Sequence, residues 1–187
     1  KKIKKISPNY FGIKSPKETG KSFLANSKLK ARYFYKNTKI TSLSDDSGLS
    51  ISCLNNKPGI YSSRWAKKYG GFKKAMKKII RLVDKKNKIK RIKNRKAKFI
   101  CSLTIKKENG KEISSVGEIR GTISKKIIGK NGFGYDPIFI PKNYKITFSQ
   151  MKKRKKIMMD HRFQAFKKIK RFLWEIHFQL YKNLNDD

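Results

Sequence analysis

Ala97-Lys98-Phe99-Ile100-Cys101-Ser102-Leu103-Thr104-Ile105 places Ala97, Phe99, Cys101, Leu103 and Ile105 on alternate positions, the pattern of one long strand with a single apolar face. Asn109-Gly110 follows shortly after. Both residues tolerate the left-handed backbone that a tight antiparallel reversal needs, so a hairpin is expected there, with strands over residues 112–116 and 118–123. Upstream, Phe72, Ala75, Met76, Ile79, Ile80 and Val83 recur at helical spacing. Residues 84–96 are rich in Lys, Asn and Arg and read as a basic exposed connection, either coil or part helix. Residues 40–43 and the alternating Leu49, Ile51 and Cys53 read as two strands joined by a turn at Asp45-Asp46-Ser47-Gly48. Thr19 or Ser22 can cap a helix over 23–35, and residues 1–18 form a basic, extended lead-in in which Ser15-Pro16 discourages helix. Downstream, a strand is expected at 138–140 and a final helix over 162–180, with Phe166, Ile169, Leu173, Ile176 and Leu180 on one face. The pattern is that of an α/β protein with long antiparallel hairpins and no regular βαβ repeat. At 187 residues it fits one domain, 1–187, or one domain with two lobes.

The chain carries 50 Lys+Arg against 12 Asp+Glu, a formal charge of +38. That imbalance invites a nucleic-acid reading, because neutralised phosphates release counterions. The lysines are spread along the whole chain, Ile and Asn are abundant and Ala is scarce, which is the signature of an AT-rich coding sequence. Compositional drift is therefore the preferred account, and a nucleic-acid partner is not expected. With so few acids available, an adjacent pair such as Asp45-Asp46 stands out. Cys53 and Cys101 sit in apolar alternations with no CxxC, so buried thiols of a reducing cytoplasm are expected rather than a zinc site. No apolar run approaches the ~20 residues of a membrane span.

Four stretches carry chemistry. In Gly132-Phe133-Gly134-Tyr135-Asp136-Pro137, glycines flank Phe133, two rings flank Gly134, and a carboxylate follows, a loop suited to holding a planar base. The plainer alternative is a glycine turn with two core aromatics. Asp45-Asp46-Ser47-Gly48 can hold Mg²⁺ and take a proton from water, or can be a simple Asx turn. Asp160-His161-Arg162, with Lys156 just before, gathers cations at a helix start, where a shared anion would make sense of them. Pro58-Gly59-Ile60-Tyr61 through Arg64-Trp65 either borders a cleft or packs its aromatics in the core. Gly20-Lys21-Ser22 mimics the end of a phosphate-binding P-loop, but Ser15 stands where that motif needs glycine.

The pieces occur in one order: Glu18-Thr19-Gly20, Ser22-Phe23, Asn26, Lys30-Ala31, Asp45 to Leu49, Pro58 to Ser62, Ala97-Lys98-Phe99, Gly117 to Gly121, Gly132 to Phe139, Thr147-Phe148, Lys156, and His161-Arg162 with Ala165. That order resembles the inosine/xanthosine triphosphate pyrophosphatase family from about residue 16 to 175. The resemblance implies an elongated, two-lobed mixed sheet with long antiparallel hairpins flanked by helices. It implies Mg²⁺-dependent hydrolysis of ITP, dITP and XTP to monophosphate and pyrophosphate, in a cytoplasmic homodimer. It makes Asp46 the general base and, with Glu18, a metal ligand, with Asp45 in support. It gives substrate contacts to Ser47, Phe133, Gly134, Tyr135, Asp136, Lys156, His161 and Arg162, and turns Lys30 toward the phosphates. Selectivity would come from hydrogen bonds to the 6-oxo group. Three departures stand out. The family's opening strand and its Thr/Ser-x-Asn-x-x-Lys loop have no counterpart after Lys1, so an N-terminally incomplete domain is expected. Lys17 replaces an acidic residue, and Asp160 replaces a usual Ser. The rival readings are a basic nucleic-acid-binding protein, recognisable by steeply salt-dependent binding, and a non-catalytic remnant that keeps only the base pocket. The catalytic reading requires the aspartate doublet and the aromatic-glycine loop to serve opposite ends of one nucleotide.

Overall fold

The computed structural model describes the backbone of residues 5–183 and the side chains of residues 5–173. Strands β1 (Ser42–Ile51), β2 (Lys96–Lys106), β3 (Glu112–Ile123) and β4 (Phe139–Pro141) form one antiparallel sheet in the order β1-β2-β3-β4. Among the described residues, five α-helices accompany it: α1 (Phe23–Thr38), α2 (Ser62–Lys68), α3 (Phe72–Ile89), α4 (Lys153–Ile157) and α5 (His161–Asn183). This is the mixed α/β architecture with antiparallel hairpins that the sequence implies. The alternating stretch forms β2 with Ala97, Phe99, Cys101, Leu103 and Ile105 all buried. Gly110 takes a φ of 80° in the β2–β3 reversal, and Lys107 N–H donates to the Lys111 carbonyl at 2.9 Å. β3 and β4 pair in the register Gly121↔Pro141, Thr122↔Ile140, Ile123↔Phe139.

Three expectations are corrected. Asp45-Asp46-Ser47-Gly48 is no turn; it lies inside the continuous strand β1. Local preference for a reversal yields to burial, because β1 alternates Leu43 out, Ser44 in, Asp45 out, Asp46 in, and then buries Gly48 to Ile51 without a break. The two short strands expected at 112–116 and 118–123 are one strand, β3, through Gly117. A Cβ at Gly117 would collide with the His161 carbonyl oxygen and the Ala165 amide nitrogen, so glycine lets the first turn of α5 rest on the strand backbone. The connection at 84–96 is helical up to Ile89, and Arg95 is not displayed to solvent. Its guanidinium donates to the carbonyls of Ile123 (2.6 Å) and Ser124 (2.7 Å) and pairs with Asp84.

The chain divides into two compact units, and β1, β2 and β3 each contribute residues to both. One comprises Lys1–Asp46, Ser102–Val116 and Phe166–Asp187. Here Ser22 caps α1, its hydroxyl accepting from Ala25 N–H at 3.1 Å. The helix meets β2 through buried hydroxyls, with Ser27 Oγ 2.9 Å from Ser102 Oγ and 2.8 Å from Thr104 Oγ1. Arg32 grips Glu112 of β3 with two nitrogens, at 2.6 and 3.0 Å. In α5, Ile169 is buried as its spacing requires, and the side chains of Ile176 and Leu180 lie outside the described residues.

The other unit comprises Ser47–Cys101 and Gly117–Ala165. Its core joins Leu49 and Ile51 of β1, Ala75, Met76, Ile79 and Val83 of α3, and an aromatic group of Phe99, Phe139 and Phe148. Those rings lie 4.6 to 6.2 Å apart between centroids, within the range of favourable ring contacts. Cys53 and Cys101 are buried and not joined in a disulfide. No helix among the described residues is long and apolar enough to cross a membrane.

Candidate active site

The first cluster belongs to the unit containing α1. Asn26 and Lys30 are one helical turn apart and therefore share a face of α1. Pleating turns Asp46 inward from β1 and leaves it 6% exposed, whereas Asp45 faces the other way and is exposed. Two side chains of α1 hold Asp46. Asn26 Nδ2 donates to Asp46 Oδ2 at 3.1 Å, and Lys30 Nζ lies 3.3 Å from Asp46 Oδ1. The same ammonium donates to Glu18 Oε1 at 2.8 Å. Burial pushes the Asp46 carboxyl above the usual carboxylate range, with Lys30 and Asn26 pulling the other way. Burial alone would lower Lys30, but its bonds to Glu18 and Asp46 outweigh that and raise it. A carboxylate with a raised pKa is the better proton acceptor.

Glu18 and Asp46 are the two residues expected to hold a metal, and they do converge on one cation, the Lys30 ammonium. No group of three or more His, Cys, Asp or Glu suited to a metal occurs among the described residues. Two hard carboxylates suit Mg²⁺, which commonly takes one or two protein carboxylates and fills its octahedron with water and substrate phosphate. The donor set fits that ion and would not make a closed protein cage.

The second cluster belongs to the other unit. Gly132 has a φ of 79°, and a Cβ there would strike the Asp136 carboxylate. The tight turn so formed lets Asp136 Oδ2 accept from Phe133 N–H at 3.0 Å. Lys156 Nζ, on α4 and 7% exposed, sits 3.1 Å from Asp136 Oδ2 and 3.5 Å from Asp160 Oδ2. Burial raises the Asp136 carboxyl, opposed chiefly by Lys156. Phe133 is 60% exposed, with the Arg162 guanidinium 5.0 Å and the Lys156 ammonium 5.2 Å from its ring centre. Gly134 follows with a φ of 66°.

Two expectations change here. Tyr135 does not offer its ring as the second face of a base clamp. It is 3% exposed, packs edge-on to Phe72 at 5.2 Å, and its hydroxyl donates to the Ser62 carbonyl at 2.8 Å. Apolar burial of the ring, with one satisfied polar tip, wins over display. The anion expected at the start of α5 is the protein's own: Asp160 Oδ1 accepts from Phe163 N–H at 2.9 Å and caps the helix. Asp160 therefore does the capping work expected of a Ser and also pairs with Lys156. Ser47 is half-buried on β1, next to Asp46.

His161 is buried, with its ring stacked on Phe99 at 4.9 Å and 12°. Arg162 Nη1 lies 3.2 Å from His161 Nε2. A guanidinium only donates, so Nε2 must accept and Nδ1 carries the hydrogen. That Nδ1 is a buried donor without a hydrogen-bond partner among the described residues. Burial, then Arg162 and Lys156, press the imidazole pKa down to about 2. The unfolded chain takes this proton near pH 6.5 and the folded chain does not, so stability falls as pH drops below about 6.5. Nitrogen-detected NMR of the imidazole is expected to show the neutral Nδ1–H form from pH 5 to 8; a ring titrating near 6.5 would contradict this burial. The partnerless N–H and the cap of Asp160 were not legible from residue types alone. Asn26 was also passed over as a site residue, although its spacing from Lys30 is the signal that could have found it.

The Ham1 family model matches residues 1–172. A dITP/XTP pyrophosphatase of Caulobacter vibrioides is 36% identical over 170 residues, covering 91% of this chain and 86% of the relative. One of Dictyoglomus thermophilum is 39% identical over 173 residues, covering 91% and 82%. Among solved structures, a HAM1 protein from Coxiella burnetii superposes with a TM-score of 0.81 at 33% identity, covering 89% of this chain and 84% of that one. The Staphylococcus aureus Ham1 protein gives 0.77 at 31%, covering 89% and 83%. A match over nearly the whole chain, in both sequence and fold, places this protein in the Ham1 family.

Proposed function

We propose that the chain hydrolyses non-canonical purine nucleoside triphosphates, dITP and XTP with ITP, to the monophosphate and pyrophosphate. The observation that carries the chemistry is the Asp46 carboxylate, buried and held at both oxygens by Asn26 and Lys30. The relatives named dITP/XTP pyrophosphatases supply the substrate class. Asp46 would orient the attacking water and take its proton. Lys30 would leave the two carboxylates for the phosphate oxygens. Asp46 and Glu18 would hold Mg²⁺, whose charge, when bound, would offset that developing on the phosphates. Ser47, next to Asp46 on β1, would touch the substrate.

The second cluster would suit a purine base. Phe133, with Arg162 alongside, offers an exposed ring for stacking, worth ~1–3 kcal/mol per base in such contacts. The His161 Nδ1–H, lacking an acceptor, is matched by a 6-oxo group and opposed by the 6-amino group of adenine. Asp136 and Lys156 would fix the Phe133–Gly134–Tyr135 backbone beneath the base and sugar. Association as a homodimer and a place in the reducing cytoplasm, in keeping with two buried cysteines not joined in a disulfide, complete the reading.

The test is pyrophosphate release from dITP, XTP and ATP with Mg²⁺. The expected kcat/KM for ATP is lower than for dITP by about a hundredfold or more, the scale reached when a buried donor is left unmatched. Equal turnover of ATP would defeat the selectivity, and no Mg²⁺-stimulated release from any of the three would defeat the activity.

A further inference from the structure

Asn26 is fully buried in the second turn of α1, and both ends of its amide are used. Oδ1 accepts from Gly20 N–H at 2.8 Å, and Nδ2 donates to Asp46 Oδ2 at 3.1 Å. The orientation is fixed by chemistry. The Gly20 amide can only donate, so it must meet the oxygen, and the NH₂ must then face the carboxylate. Gly20 lies two residues after Glu18, and Lys30, one turn after Asn26, bonds both Glu18 and Asp46. One helix face therefore ties a loop and a strand at two levels: Asn26 joins Gly20 to Asp46, and Lys30 joins Glu18 to Asp46. The two ties differ in kind. Lys30 is a long, charged side chain that can swing to another anion, whereas Asn26 is short, neutral and enclosed.

We infer that Asn26 is the positioning residue of the phosphate end: it holds Asp46 by one oxygen and the Glu18 loop by the Gly20 amide, keeping both carboxylates in place when Lys30 turns to substrate. The inference rests on the proposed hydrolysis, with Asp46 as base. It follows that the neutral tie must persist in a state where the ionic tie is broken.

Two variants separate the halves of the amide. Asn26→Leu removes both bonds. It is expected to lower kcat for dITP at least thirtyfold with KM within threefold, and to speed hydrogen exchange at the Gly20 amide at least tenfold, while amides in the middle of β2 keep their protection. Asn26→Asp keeps an acceptor for Gly20 and loses the donor to Asp46. It is expected to retain Gly20 protection and still lose kcat at least thirtyfold. A simple loosening of the fold cannot produce that split. Wild-type turnover in Asn26→Asp, or unchanged Gly20 exchange in Asn26→Leu, overturns the inference. If wild-type protein fails to hydrolyse dITP or XTP, the proposed reaction is what fails, and Gly20 exchange in the two variants still decides whether Asn26 makes the tie.

Discussion

Asp46→Asn is expected to reduce dITP turnover about a thousandfold or more while leaving the fold in place. A positioned base contributes roughly 10²–10⁴ in rate, and this side chain also stands among the candidate metal ligands. The amide is isosteric, so Asn26 can still donate to its oxygen and no cavity opens. The substitution also removes a buried carboxyl whose ionisation is opposed by burial, which offsets part of the attraction lost with Lys30. Pyrophosphate release and a thermal melt on the same preparation check both halves. Retained turnover at a wild-type melting temperature would remove Asp46 from the chemistry, whatever its burial.

Lys156→Met is expected to be the most damaging single change to stability in the second cluster. Lys156 is the cation lying between two buried carboxylates, Asp136 and Asp160. Removing one partner of a buried ionic group costs about 3–5 kcal/mol, because the remaining charge stays desolvated. At 2–4 °C per kcal/mol for a chain of this size, the melting temperature should fall by roughly 6–20 °C at pH 7. The pH dependence has a definite sign. Burial already holds the Asp136 carboxyl above its ordinary value, and loss of Lys156 raises it further. A raised folded pKa favours folding fully below the unfolded value, about 4, and loses that advantage as pH rises. The deficit of Lys156→Met should therefore be small near pH 4 and grow toward pH 7. Adding Asp136→Asn should recover part of it at pH 7. A melt within 2 °C of wild type at pH 7 would mean the pair is solvated and the cluster is not the buried network described.

The long alternation of β2 and the helical spacing of α3 were legible because the apolar residues in each follow a single period: Ala97, Phe99, Cys101, Leu103 and Ile105 on one, Ala75, Met76, Ile79 and Val83 on the other; that Ser102 and Thr104 are buried too was not legible. The order of motifs likewise pointed to several residues that the structure gathers in the two clusters, Asp46 and Glu18 in one and Asp136 and Lys156 in the other, but not to the part played by Asn26. What residue types could not disclose were choices between equally good local options. Asp45-Asp46-Ser47-Gly48 has the composition of a turn, and only the burial of Ser44 and Asp46 makes it strand. Tyr135 carries a ring that suits a ligand or a core, and the Ser62 carbonyl and Phe72 decide for the core. Asp160 stands where a Ser is usual, and a helix start with Lys156 and Arg162 nearby suggests an external ligand. The cap it makes to Phe163 N–H is a matter of one side-chain rotation. In each case the deciding atom lies far along the chain or on a rotamer, beyond what spacing encodes.

The bare backbone of Gly117 has a wider consequence. The carbonyl that begins α5 rests on it directly, so the depth at which the imidazole lies against Phe99 is gauged by a contact that owns no rotamer. A bulky neighbour can be accommodated by spinning a bond, but two abutting peptide groups have nothing to spin. Changes of surface charge leave that contact untouched, yet one methyl group on the middle of a strand would push the His161 backbone off it and shift the imidazole against Phe99.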